Sequence, residues 1–179
     1  ACEHMAQVVR GLLDFARPSL GKITELDCNE VVESALGFCR LLIGKNVRLE
    51  KNYTQGLPKV KGNRNRIGQV IVNIIDNAVD AMEMKGLFKI VTRVVMVDGK
   101  RFVEMEFEDS GCGIDKDDLK RMFEPFHTTK RPDRGIGLGL SIAYSIIKEH
   151  SGTILVESPP AGKEKGATFK VRIPAIADS

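Results

Sequence analysis

The chain has 179 residues, 42% of them hydrophobic and 28% charged, with 27 Lys and Arg against 24 Asp and Glu for a formal net charge of +3. Such a chain can bury one good core with an appendage, and a charge balance this small and interspersed makes no demand for nucleic acid. Cys2, Cys28, Cys39 and Cys112 lack the spacing of a zinc site or a disulfide framework, and no apolar run approaches a bilayer span, so the fragment is expected to be cytosolic in character with no membrane contact of its own.

Over Cys2 to Ala16, Met5, Val8, Val9, Leu12, Leu13 and Phe15 recur at helical spacing, a stripe that fifteen residues cannot bury alone. It reads as the end of a longer helix from a helical, dimerising neighbour; a terminal helix packed on this domain is the plainer alternative. Arg17-Pro18-Ser19 stops it. The expected division is therefore residues 1–21 as helix remnant and linker, and residues 22–179 as the main domain.

After an extended piece at Ile23 to Leu26, Asp27 or Asn29 can cap a helix running to about Ile43, with Val31, Val32, Ala35, Leu36, Phe38, Cys39 and Leu42 as its core face and Gly44 as its stop. Val47, Leu49 and Tyr53 alternate with polar residues as a half-exposed strand, and Gly56 and Pro58 signal a turn. Val60 to Gly62 leads into the most regular helix, Asn65 to Ala81, extended to about Lys85 and closed by Gly86. Ile67, Val70, Ile71, Ile74, Ile75, Ala78 and Val79 form its buried stripe. Asn73 and Asn77 interrupt the pattern one turn apart, with Asp76 and Asp80 on a neighbouring track. Two amides there can orient water or a hydrated cation, and Asp80 can bind a donor or neutralise a base; an ordinary solvent-facing polar set fits the same spacing.

Phe88 to Val97 and Phe102 to Glu108 read as strands joined at Asp98-Gly99. Strict alternation brings Asp109 to a strand end on the apolar side with Val103, Met105 and Phe107, where a buried carboxylate needs a partner. In Asp109-Ser110-Gly111-Cys112-Gly113 the glycines permit close approach of a flat ligand and the carboxylate can accept from an exocyclic amine, although a structural turn reads the same way. A short helix from Ile114 to Phe123 follows, with Asp115 as a cap, and Glu124-Pro125-Phe126 breaks it. The polar, basic span His127 to Arg134 suits either a cover supplying cations and hydroxyls to phosphates, with Lys130 the better phosphate candidate than His127, or an uninvolved surface loop. Gly135, Gly137 and Gly139 lead into a helix from Leu140 to His150, an arrangement that exposes amides near a positive helix end without being a P-loop. Strands at Gly152 to Glu157 and Ala167 to Ile173 close the domain.

In this order, NRIGQVIVNIIDNAVDAM, DSGCGI, MFEPFHTTK, GIGLGLSI and GATFKVRIP resemble the N-box, G1 box, F-box, G2 box and G3 region of the catalytic and ATP-binding domain of bacterial sensor histidine kinases, in the gyrase, Hsp90, histidine kinase and MutL superfamily. The resemblance covers about Ile23 to Ile173. It implies a two-layer α/β sandwich of the Bergerat type, a mixed, largely antiparallel sheet covered by helices, with ATP and Mg²⁺ as ligands. Asn77 then matches the Mg²⁺-coordinating residue. Asn73 stands where gyrase- and Hsp90-like members carry a water-activating glutamate, and Asp109 matches the adenine-reading carboxylate. Gly111, Gly113, Ile114 and Thr168 would shape the adenine pocket. Phe126, Thr128, Thr129, Lys130, Gly135, Gly137, Leu138, Gly139 and Leu140 would belong to the lid and phosphate side, with Lys130 and Asn73 closest to the chemistry. Asp80 departs from the basic or aromatic residue of some kinases, which shifts phosphate contacts toward the lid.

HTTK and the short lid resemble the nitrogen-regulation and dicarboxylate-sensing kinases, and LLDFARP resembles the end of their second dimerisation helix. The phosphoacceptor histidine would then sit in a preceding dimerisation domain, His4, His127 and His150 being wrongly placed for it. The implied partners are that domain in a homodimeric parent and a cognate response regulator, the parent being cytoplasmic or inner-membrane-anchored. A serine kinase or a MutL- or gyrase-like ATPase of the same superfamily, and a noncatalytic interaction module, are the competing readings.

Overall fold

A computed structural model describes residues 22–129 and 136–177. The helix expected before Pro18 lies outside the described residues. The elements in order are β1 (Thr24–Leu26), α1 (Cys28–Ile43), β2 (Val47–Tyr53), β3 (Val60–Gly62), α2 (Arg64–Ala81), β4 (Gly86–Val97), β5 (Lys100–Asp109), α3 (Lys116–Arg121), α4 (Gly139–Glu149), β6 (Thr153–Glu157) and β7 (Ala167–Pro174). Five strands form one sheet in the order β2-β4-β5-β7-β6, with β2 parallel to β4 and every other pairing antiparallel. β1 and β3 make a separate antiparallel pair. This is the mixed, largely antiparallel sheet covered by helices that the sequence implied.

The helices cover one sheet face because that face is apolar. Register places Phe88, Ile90, Val103, Met105, Phe107, Phe169, Val171 and Ile173 together, and all are buried. All seven residues of the α2 stripe are buried against it, each large side chain contributing about 1.5–3 kcal/mol of transfer free energy. Asp27 starts α1 by accepting the Asn29 amide at 2.8 Å, and Asn63 starts α2 by accepting those of Asn65 and Arg66. Asp98 and Gly99, both at positive φ (50° and 74°), form the tight β4–β5 turn whose twist matches the strands.

Three expectations change. Phe38 and Leu42 are 84% and 46% exposed. The α1 stripe runs through Cys28, Val31, Val32, Ala35, Leu36, Cys39 and Ile43, and Phe38 rotates off its edge to wall a groove of about 350 Å³ with Val31, Ala35 and Val72. Second, α2 stops at Ala81, not Lys85: Glu83 and Met84 take positive φ, and Gly86 opens β4 instead of closing the helix. A Cβ on Gly86 would lie 2.6 Å from Ser110 Oγ, so crowding against the neighbouring loop explains the glycine. Third, Glu104, which the alternation of β5 sets opposite Val103, Met105 and Phe107 with the polar residues, is fully buried beneath two arginines, Arg93 Nη2 at 2.5 Å and Arg172 Nε at 2.6 Å.

Candidate nucleotide site

The long helix α2 organises the site because its open side carries the polar residues and its two halves touch different loops. Asn73 Nδ2 donates to the carbonyl of Gly139, the first residue of α4, at 2.9 Å. Asn77, one turn on and half-buried, turns its Nδ2 back to the Asn73 carbonyl at 2.8 Å. That leaves its carbonyl oxygen Oδ1 with no hydrogen bond from a described residue. Asp80 is half-buried in the last turn, while Asp76 is exposed. At the helix end the Ala81 carbonyl accepts the Cys112 amide at 3.1 Å, which docks the loop after β5. Gly139 and this loop thus meet α2 eight residues apart, about 12 Å along the helix.

β5 delivers Asp109 to that loop. It is 3% exposed and lies inward, and its Oδ1 accepts the Gly111 amide at 2.8 Å. Burial pushes its carboxyl above the usual range; the amides of Gly111 and Ala167 oppose the rise and Glu108 adds to it. Close packing accounts for the glycines. A Cβ on Gly111 would come within 2.6 Å of the Ala81 backbone, and one on Gly166 within 2.2 Å of the Asp109 carbonyl. Gly113, at φ +84°, faces Ser158 and Gly166. The Ser158 hydroxyl receives the Ile114 amide at 2.7 Å and donates to the Gly166 carbonyl at 2.8 Å, clamping the loop to the turn before β7. Ser110 Oγ accepts the Leu87 amide.

Thr168 is placed differently from the expectation. It pairs with Glu108 and Glu157, whereas Ala167 pairs with Asp109. Strand alternation therefore puts Thr168 on the sheet face away from Asp109, buried and with Oγ1 unpartnered among the described residues, and the residue beside the carboxylate is Ala167. Pairing register, which a one-dimensional match cannot supply, decides this.

On the opposite side, Gly137 at φ +74° packs against Phe126 and His127, and its carbonyl accepts the Phe126 amide at 3.0 Å. Phe126 itself has positive φ and is 65% exposed. His127 bonds Asp118 of α3 at 3.0 Å, in keeping with a loop-holding role. Leu138 is buried and Leu140 half-buried. No side chain caps the N-terminus of α4, which leaves its first amides as donors for an anion. Thr128 and Thr129 are exposed at the margin, and Lys130 and Gly135 lie outside the described residues.

The arrangement fits a magnesium nucleotide. A buried acceptor beside close-packed glycines suits a flat base with an exocyclic amine, and the uncapped α4 terminus suits phosphate. Among the described residues no group of three His, Cys, Asp or Glu forms a cation cage. An amide oxygen such as Asn77 Oδ1 could serve as a single protein ligand to an Mg²⁺ whose other positions are filled by substrate phosphates and water, since the ion keeps several waters in such sites. Ser158 and Ala167 escaped the sequence reading, since a serine before proline and an alanine after glycine carry no signal apart from register.

Residues 62–177 match the family described as histidine kinase-, DNA gyrase B- and HSP90-like ATPase. The chain is similar to the sensor kinase CckA of Brucella abortus (strain 2308), 35% identical over 184 residues covering 97% of this chain and 19% of CckA. It is likewise similar to the sensor protein FixL of Bradyrhizobium diazoefficiens, 36% identical over 177 residues, 97% of this chain and 33% of FixL. The chain thus spans a third or less of the length of these relatives. The histidine kinase ThkA, solved in complex with the response regulator protein TrrA, superposes with a TM-score of 0.75 at 26% identity, over 98% of this chain and 48% of that one. The chain therefore belongs to the histidine kinase-, DNA gyrase B- and HSP90-like ATPases, as an ATP-binding catalytic domain homologous to those of bacterial sensor histidine kinases.

Proposed function

We propose that this chain is the catalytic part of a two-component sensor histidine kinase and transfers the γ-phosphoryl group of ATP to a histidine on a dimerisation domain, residues 1–21 being the remnant of that domain's second helix plus a linker. The observation that carries the reading is Asn73. By the motif resemblance its amide stands where gyrase- and Hsp90-like members carry a water-activating glutamate, and in the structure it donates to the Gly139 carbonyl. An amide cannot accept the proton of an attacking water, so the site favours an incoming nucleophile that needs no base here.

Asp109 would hold the adenine and Asn77 Oδ1 the Mg²⁺. The first amides of α4 and Lys130 would hold the phosphates. When bound, Mg²⁺ supplies charge neutralisation across the phosphates. Positioning does the remaining work: the imidazole nitrogen attacks phosphorus in line as the bond to the departing ADP oxygen breaks. HTTK and LLDFARP support the nitrogen-regulation and dicarboxylate-sensing type, a homodimeric parent that is cytoplasmic or inner-membrane-anchored, and a response regulator as acceptor of the phosphate. No helix among the described residues is long and apolar enough to cross a membrane.

The test mixes this chain with the separately produced dimerisation domain of its parent and γ-labelled ATP. Acid-labile, alkali-stable label on the added domain is expected. Label released only as inorganic phosphate, with folding and docking verified, would reject transfer in favour of hydrolysis.

A further inference from the structure

We infer that His150 is a positioning residue that sets the axial register of α2 against α4, and through it the reach between Asn77 and the glycine turn that precedes α4. The inference rests on the nucleotide site proposed above.

The two helices run antiparallel and are tied at both ends. Asn73 meets Gly139 at the start of α4, and Arg66 pairs with Glu149 at its last residue at 2.8 Å. The Asn63 amide, at the cap of α2, donates to His150 Nε2 at 3.0 Å. Asn63 to Asn73 spans ten residues and Gly139 to His150 eleven, about 15 and about 16.5 Å of helix, so the ties define two rods of matching length. Between them lie Ile67, Val70, Ile71 and Ile74 on one side and Ile142, Ala143, Ile146 and Ile147 on the other. Those contacts interdigitate and fix the helix separation and a coarse register; the hydrogen-bonded ties at the ends fix it finely. Glu149 is 55% exposed, and an ion pair so open to water holds weakly. His150 is thus the firm tie at this end.

Its ring is committed at both nitrogens. Nδ1 lies 2.7 Å from the Ile146 carbonyl and must carry the proton; Nε2 faces an N–H and must be the acceptor. Gly62 makes the approach possible, because a Cβ there would sit 2.9 Å from the ring Cδ2 and 2.6 Å from Ile67 Cδ1. The charged residues on the elements meeting there are Lys61 on β3, Arg64 and Arg66 on α2, and Lys148 and Glu149 on α4, with Arg172 on β7 behind. Arg64 engages Glu30, Arg66 engages Glu149, Arg172 engages Glu104 and Lys148 lies over Tyr144, so both ring nitrogens are left to backbone groups. A side chain with no acceptor at that place would leave the Asn63 N–H unpaired and cut the tie.

The test titrates ADP, with Mg²⁺ and with EDTA, into wild type, His150→Gln and His150→Phe at one pH. Glutamine offers Oε1 where Nε2 stands, so His150→Gln is expected within about twofold of wild type. His150→Phe, which has no acceptor there, should lose about tenfold of the Mg²⁺-dependent affinity, with EDTA titrations unchanged. Equal Mg²⁺-dependent affinity in all three, or the same loss in EDTA, would make the ring ordinary packing and overturn the inference. If His150→Phe does not fold, His150→Leu, which also lacks an acceptor, takes its place. If wild type binds no ADP, the nucleotide site has failed and not the tie. Amide exchange at Asn63 then judges His150: it is expected to be faster in the variant without an acceptor than in wild type and His150→Gln, and equal exchange in all three would overturn the inference.

Discussion

Gly111→Ala puts one methyl group where the loop after β5 meets the end of α2. The new Cβ would stand 2.6 Å from both the carbonyl carbon and oxygen of Ala81 and 2.8 Å from its Cβ. Those obstacles are two backbone atoms and the first side-chain carbon, none of which can rotate away. Overpacking of this kind costs about 1–3 kcal/mol, and loosening the Cys112 amide from the Ala81 carbonyl adds about 0.5–1.5 kcal/mol. For a domain of this size each kcal/mol is worth roughly 2–4 °C, so a melting temperature lower by roughly 3–18 °C is expected. The displacement also drags the Gly111 amide from Asp109 Oδ1, and losing that charge-assisted hydrogen bond should lower ADP affinity by about tenfold. Thermal melts and calorimetric ADP titration read both effects. Gly68→Ala is the control: nothing lies within 4 Å of its Cβ position inside α2, so the same change there should be neutral or stabilise by up to about 1 kcal/mol. Gly111→Ala within 1 °C of wild type, with unchanged affinity, would refute the close packing of loop on helix.

Two further outcomes follow from the same geometry. Asn77→Ala removes the amide oxygen offered to the cation, and should cut the Mg²⁺-dependent part of nucleotide affinity by about tenfold or more while leaving EDTA binding unchanged; equal losses with and without Mg²⁺ would place the cation elsewhere. Because burial raises the Asp109 carboxyl above the usual range, the folded protein takes up a proton at this group more readily than the unfolded chain. Its contribution to stability of the free protein therefore improves as pH falls through that raised value, whereas ADP affinity declines over the same window. Paired melts and titrations across a pH series check it, and affinity that holds constant down to the ordinary aspartate range would contradict it.

The fold was legible wherever one face alone was buried. In α2 seven apolar residues at three-and-four spacing all reach the core, and alternation in β5 delivers Asp109 inward, because a single register error would have moved every side chain to the wrong side. Phe38 was misplaced because a broad stripe does not reveal how far the covering surface extends. Glu104 was unreadable for a different reason, since its burial comes from arginines on β4 and β7 that pairing alone brings over it. For the candidate site, motif and spacing pick out Asn73, Asn77, Asp109, Gly111 and Gly137 as expectations, and the fold places the first two on α2 and Asp109 with Gly111 in the loop docked to its end. Thr168 could not be separated from Ala167 without the β5–β7 register, and the tie from His150 to Asn63 joins residues 87 positions apart.

Asp109, as the proposed adenine-reading group, is the residue whose loss should weaken the nucleotide most directly. Asp109→Asn keeps an oxygen for the Gly111 amide and replaces the remaining acceptor by a donor, so a charge-assisted hydrogen bond worth about 1.5–3 kcal/mol should be lost. Calorimetric titration of Mg-ADP into the two proteins is predicted to show affinity lower by about 10- to 150-fold in the variant, whose folding a thermal melt verifies. Wild-type affinity in a folded Asp109→Asn protein would contradict the account.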